Sequence, residues 1–170
     1  MKISTPFTPE VIQSLKGGDV IQLTGEIYTA RDAAHALMVE AIQKGEAPPF
    51  PYQGQAVFYA GPCPAPKGKP IGSVGPTTSG RMDPFAPTLI AEGLKVMIGK
   101  GSRSQAVLDA IVAHQGLYLI AIGGVAALLA QCVTHAEVVA YDHLGTEAVR
   151  RLTVKDMPLV VAVDSQGRTC

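Results

Sequence analysis

Gly75-Pro76-Thr77-Thr78-Ser79-Gly80-Arg81-Met82-Asp83-Pro84 gathers two glycines, three hydroxyl side chains and one permanent cation into a single short stretch. Asp83 followed by Pro84 reads as a helix N-cap with proline at the first helical position, which predicts a helix through Phe85, Leu89 and Ile90. The polar stretch would then sit at the positive end of that helix, where unpaired N–H groups favour an anion. Arg81 adds a planar fork suited to a carboxylate or a phosphate. Ordinary capping turns use the same residue types, so the stretch alone leaves both readings open.

Two more cations occupy comparable places. Arg31 and His35 lie four residues apart, on one side of a helix predicted from Ala33, Ala36, Leu37, Val39 and Ile42 and capped by Thr29 or Asp32. Lys100 lies in the turn Gly99-Lys100-Gly101, between a short strand at 96–98 and a helix that Ser102 would cap, with Val107, Leu108, Ile111 and Val112 on its apolar face. Each cation thus follows a predicted strand and precedes a predicted helix. In a layered α/β sheet such loops gather at the carboxyl ends of the strands, where ligands bind. Arg31, Thr77, Thr78, Arg81 and Lys100 are therefore expected on one rim. Asp32 and Asp83 read as caps or as groups that orient the arginines, and His35 as a structural hydrogen-bonding residue, with orienting Asp32 or touching substrate as the alternatives. Cys63 stands between two prolines with no histidine at a readable spacing to activate it.

The remaining chain supplies the frame. Thr8-Pro9-Glu10 starts a short helix that Gly17-Gly18-Asp19 stops, and residues 20–24 alternate as a strand that 25–29 leads out of. Residues 44–55 form a proline-rich surface loop and 56–60 a strand. Further strands are predicted at 117–122, 136–140, 152–154 and 159–164, a helix at 125–129 and a single helical turn at 147–150. This alternation predicts an α/β fold, one layered domain over residues 1–170 with a mixed, partly parallel sheet.

With 14 basic and 14 acidic side chains the chain has no net charge, which gives no basis for a nucleic-acid partner held by bulk electrostatics. The three cysteines, Cys63, Cys132 and Cys170, are far apart and lack C-x-x-C spacing, so neither a disulfide framework nor a zinc site is expected. Residues 115–134 carry no formal charge, but Gly123-Gly124 interrupts them, and a buried strand turning into a helix fits better than a membrane span. No apolar run follows Met1-Lys2-Ile3-Ser4, and a cytoplasmic location is expected.

Gly75-Pro76-Thr77-Thr78 and Arg81-Met82-Asp83, with Gly99-Lys100-Gly101 about a helix later, resemble the signature of the iron-sulfur (class I) fumarate hydratases. Gly25-Glu26-Ile27-Tyr28-Thr29-Ala30-Arg31-Asp32-Ala33-Ala34-His35 and Tyr59-Ala60-Gly61-Pro62-Cys63-Pro64 match that pattern in the same order. More narrowly, the chain resembles the beta subunit, or C-terminal domain, of fumarase and L(+)-tartrate dehydratase, from about residue 20 to residue 167. The resemblance implies a swivelling β/β/α domain that closes over an active site. Arg31, Arg81 and Lys100 would hold substrate carboxylates with Thr78 beside them. Thr77 would stand near the reacting carbon as the proton-relaying hydroxyl, with Thr78 as the alternative. The implied reaction is reversible hydration of fumarate to L-malate, or the matching step on L(+)-tartrate or a methylated fumarate. A non-catalytic anion-binding scaffold is the rival. The three cysteines match none of the family's cluster-ligand positions, so no cofactor or metal is assigned to this chain. The implied 4Fe-4S cluster would arrive on a separate alpha subunit, in a symmetric oligomer acting on a small dicarboxylate.

Overall fold

A computed structural model describes residues 1–121 and 126–170. In chain order the elements are β1 (Lys2–Ser4), α1 (Pro9–Ser14), β2 (Val20–Thr29), α2 (Asp32–Gln43), β3 (Ala56–Phe58), α3 (Ala86–Ala91), β4 (Val96–Gly99), α4 (Gln105–His114), β5 (Leu117–Ala121), α5 (Ala126–Gln131), β6 (Val133–Ala140) and β7 (Val149–Val163). Two 3-10 turns, Ser79–Met82 and Asp142–Glu147, stand between them. The strands follow the order β1-β2-β3-β4-β5-β7-β6, and β7 also pairs with β2, so the hydrogen bonding of β2, β3, β4, β5 and β7 closes on itself. Pairing is parallel from β1 through β5 and antiparallel wherever β7 takes part. The mixed α/β class and partly parallel sheet are those expected from the sequence.

The central strands are apolar throughout because both of their faces are covered. Ile27, Ala56, Phe58, Val96, Ile98, Leu117 and Leu119 point to one side, into a core that also holds Ile12 and Leu15 of the N-terminal segment. Alternate residues Tyr28, Val57, Tyr59, Met97 and Tyr118 point to the other, under α2, α3 and α4 through Met38, Leu89, Ile90, Val107 and Ile111. No helix among the described residues is long and apolar enough to cross a membrane.

Several expected boundaries move. The strand beginning at Val20 does not end at Thr24 but runs on to Thr29, and the expected strands at 152–154 and 159–164 merge into one 15-residue strand, β7, which ends at Val163. Between them Lys155 and Asp156 form a bulge opposite Thr24, while Pro158 stays in register with Gln22. There Asp156 adopts φ 51° and donates its N–H to the Thr24 hydroxyl at 3.0 Å. The turn expected at 147–150 ends at Glu147, because Val149 already pairs with β6. The 44–55 loop is less superficial than its prolines suggested, since Phe50 and Tyr52 are buried and Phe50 stacks on Tyr28 at 4.0 Å. Residues 122–125, where the sequence placed a strand end and a helix start, lie outside the described residues.

Leu159 is fully buried where β7 meets both Ile21 of β2 and Ala121 of β5. Leu159→Ala is therefore expected to lose about 2–5 kcal/mol of unfolding free energy in a denaturant titration. Val112→Ala, on the exposed side of α4, should stay within about 0.5 kcal/mol of the parent.

Candidate substrate site

Since β2, β3 and β4 are parallel, their carboxyl ends fall on one edge of the sheet. Past that edge the chain keeps a connected backbone. Ala30 N–H donates to Phe58 O at 3.0 Å, Tyr59 N–H to Ile98 O at 2.9 Å and Thr77 N–H to Tyr59 O at 2.7 Å. Thr78 and Lys100 form a parallel β-bridge. Ser79 then closes the pair: its N–H donates to Lys100 O at 3.0 Å, and its hydroxyl accepts Lys100 N–H at 3.0 Å. Gly99 is required here because a Cβ would run into Ser79 Oγ and come within 2.9 Å of the Tyr59 ring.

The structure therefore brings Thr77, Thr78, Arg81 and Lys100 together on one turn and its bridge partner, with Arg81 in the 3-10 turn Ser79–Met82. Thr78, Arg81 and Lys100 are exposed and Thr77 is half-buried. Among the described residues neither Arg81 nor Lys100 has a carboxylate within ion-pair distance. Arg31 reaches the same edge from the end of β2. Its stem passes so close to Gly61 that a Cβ there would stand 3.1 Å from Arg31 Cδ. Its Nε is buried without a hydrogen-bond partner and faces Asp32 Oδ1 at 3.7 Å, an ion-pair distance too long for a hydrogen bond.

The expected capping is different. The helix after Asp83 starts only at Ala86, with Phe85 at its N-cap and no side-chain cap. Asp83 instead accepts from Arg103 Nε at 2.8 Å and from Ser104 N–H at 2.7 Å, so it orients an arginine, but not Arg81. Ser104, not Ser102, caps α4 through Val107 N–H. Neither Thr29 nor Asp32 caps α2. Arg31 occupies the N-cap position, Ala33 N–H donates to Glu147 Oε1 at 3.3 Å, and the Thr29 hydroxyl accepts Arg150 N–H. With the helix starts displaced or already served by carboxylates, the cations and not the helix dipoles are what the rim offers an anion.

Four residues beneath the rim were not singled out from sequence: Tyr59, Ser79, Arg103 and Tyr118. The Arg103 side chain is 1% exposed; its Nη2 donates to Tyr59 Oη at 3.2 Å, and its guanidinium lies 5.1 Å from the Tyr59 ring centre and 4.8 Å from that of Tyr118. The Tyr118 hydroxyl lies 2.8 Å from both Ser79 Oγ and Gly101 O. It has one proton and the carbonyl can only accept, so the proton goes to Gly101 and Ser79 donates to Tyr118. Burial pushes both tyrosine hydroxyls above their ordinary range, and they stay neutral. Ser79 and Tyr59 stand inside stretches already quoted from the sequence, but their joining to Tyr118 and Arg103 leaves no trace there, and two tyrosines on the helix-facing side also suit plain core packing.

His35 is buried against the Tyr59 ring at 5.3 Å, with Nδ1 2.8 Å from Arg31 O. The carbonyl can only accept, so Nδ1 carries the proton. Burial lowers the His35 pKa to about 4. That bond to Arg31 O is of the structural kind favoured from its position.

Among the described residues no three His, Cys, Asp or Glu side chains converge as a metal-binding group, and Cys63, Cys132 and Cys170 are free thiols. A cluster held by three thiolates has no such convergence of ligands among the described residues. A cleft of about 410 Å³ between the 62–71 loop and β6 is lined by Cys63, Glu137, Thr146 and Arg150, not by the rim cations. The rim is an open surface.

The chain matches the family described as Fumarase C-terminus over residues 1–170. It is 46% identical over 149 residues to a protein of Escherichia coli (strain K12) named fumarate hydratase class I, anaerobic, covering 86% of this chain and 27% of that protein. Fumarate hydratase 1, mitochondrial, of Leishmania major is 44% identical over 164 residues, 94% of this chain and 30% of its own length. A putative L(+)-tartrate dehydratase subunit beta of Methanocaldococcus jannaschii is 37% identical over 173 residues, 96% of this chain and 87% of that one. The chain thus spans less than a third of these two fumarate hydratases and most of the tartrate dehydratase subunit.

The depressed His35 pKa fixes the sign of a pH dependence. Between about 4 in the folded chain and 6.5 when unfolded, only the unfolded state binds the proton, so stability is full above the unfolded value and falls as pH drops through the window. Urea titrations should show His35 contributing a loss of about 2 kcal/mol from pH 7 to 5. The slope should be shallower by that share in His35→Gln; an unchanged slope would contradict the buried neutral ring.

Proposed function

We propose, since this chain belongs to the Fumarase C-terminus family, that it is the beta component of a hydro-lyase that reversibly hydrates fumarate to L-malate. L(+)-tartrate or a methylated fumarate is the alternative diacid, and the likeness to a tartrate dehydratase beta subunit favours keeping it. The observation that carries the reading is the Thr78–Lys100 bridge, which sets Lys100 beside the turn carrying Arg81 on an open edge, both without an ion-pair partner among the described residues.

Removing a proton next to a carboxylate increases negative charge on its oxygens in the transition state. Fixed cations aimed there stabilise that charge, more so once a partner excludes water. In this reading Arg81, Lys100 and Arg31 hold the two carboxylates, and Thr78 contributes a hydrogen bond. Thr77 relays the proton; a threonine hydroxyl is a weak base, so it hands that proton to a carboxylate of the partner. In this reading the 4Fe-4S group is carried by the alpha subunit, which agrees with three cysteines that do not converge among the described residues. The complex is a cytoplasmic oligomer in which the substrate lies between the two components.

The test is anaerobic co-expression with a cluster-bearing alpha subunit, followed by the ultraviolet absorbance of the conjugated double bond. Wild type should turn over at least one diacid, and Arg81→Ala or Lys100→Ala should lower kcat/KM by about 10²–10³-fold. Equal turnover by the variants would remove these cations from the chemistry. A wild-type complex inert on every diacid would leave a scaffold as the better reading.

A further inference from the structure

Arg103 is a charge buried directly beneath the rim, and the reaction as read above does not use it. Its side chain is 1% exposed, and its donors are directed at Asp83 Oδ1 (2.8 Å), Tyr59 Oη (3.2 Å) and Met97 Sδ (3.6 Å), so it is not a further carboxylate ligand. Its neighbours, however, each hold one piece of the rim. The Tyr59 backbone carbonyl fixes Thr77 N–H, and the Tyr59 ring packs on His35, which bonds Arg31 O. Tyr118 fixes Ser79 Oγ and Gly101 O, and Ser79 in turn holds Lys100 N–H. Asp83, two residues after Arg81, holds Ser104 N–H at the start of α4.

We infer that Arg103 is a positioning residue: stacked between Tyr59 and Tyr118 and forked onto Asp83, it locks the 77–81 turn and the Lys100 loop into one rigid unit. The planar fork is essential to this role. A lysine could neutralise Asp83 but could not also lie between two rings while bonding Tyr59. Charge balance alone and positioning therefore predict different behaviour for Arg103→Lys.

The experiment is amide hydrogen exchange on the full chain, wild type against Arg103→Lys and Arg103→Met, followed by kinetics of each with the cluster-bearing partner. Positioning requires exchange at the Ser79 and Lys100 amides to rise by about tenfold or more in both variants, while amides of β2 and β7 keep their protection. In the complex KM for the diacid should rise by about tenfold or more, with kcat changing less. Wild-type protection at both amides in Arg103→Lys, or protection lost equally across β2 and β7, would overturn the inference. Should Arg103→Met fail to fold, Tyr118→Phe removes only the hydroxyl that ties Ser79 to Gly101. Lys100 exchange must then rise while Ser104 stays protected, and no rise overturns the inference. The kinetic arm rests on the proposed hydro-lyase function and the exchange arm does not, so an inert wild-type complex counts against that function while exchange still decides the role of Arg103.

Discussion

One β-bridge, Thr78 to Lys100, fixes how the rim cations stand to one another. It holds a lysine loop against the turn that carries an arginine, without a counter-charge for either among the described residues. Like charges held near one another repel, weakly while water and salt screen them and more strongly once water is excluded. The backbone hydrogen bonds of Thr77, Ser79 and Lys100 sustain that arrangement before any ligand arrives. On the proposed reading, a dianion then meets cations already in place, and little ordering remains to oppose binding.

Buried and exposed cations divide the work. Burying a guanidinium is costly unless its donors are satisfied, and Arg103 has a carboxylate, a phenol oxygen, a thioether and two ring faces around it. Arg81 and Lys100 stay in water. Arg31 is intermediate: its Nε is out of water yet lacks a hydrogen bond, and among the described residues Asp32 is the carboxylate at ion-pair distance. Such a group is the most sensitive of the set to what a partner or ligand brings.

The sequence made the frame legible because both of its signals are short-range. Continuous apolar runs mark strands covered on two faces, and polar loops after them mark the carboxyl edge, so the common rim of Arg31, the 77–81 turn and Lys100 followed from pattern. The caps differ from those expected because Asp83, Thr29 and Ser102 are capping residue types by composition, whereas tertiary partners decide which backbone N–H groups they serve. Asp83 reaches the start of α4 and Thr29 reaches β7. The single long β7 was hidden for a related reason: Asp156 and Pro158 break a strand by propensity, and only the Thr24 hydroxyl opposite shows that the bulge is paired. Arg103 left no sequence signal, since Asp83, Tyr59 and Tyr118 reach it from separate segments.

The proposed function requires the rim cations to face a bound dicarboxylate across a boundary with a second protein component. A structure of the chain in complex with a cluster-bearing alpha subunit and a four-carbon dicarboxylate tests this most directly. The account predicts carboxylate oxygens within about 3.2 Å of donors on Arg81 and Lys100, with the Thr78–Lys100 bridge intact and the ligand enclosed by both components. A ligand bound wholly within the alpha subunit, with Arg81 and Lys100 pointing into solvent or paired with protein carboxylates, would contradict it.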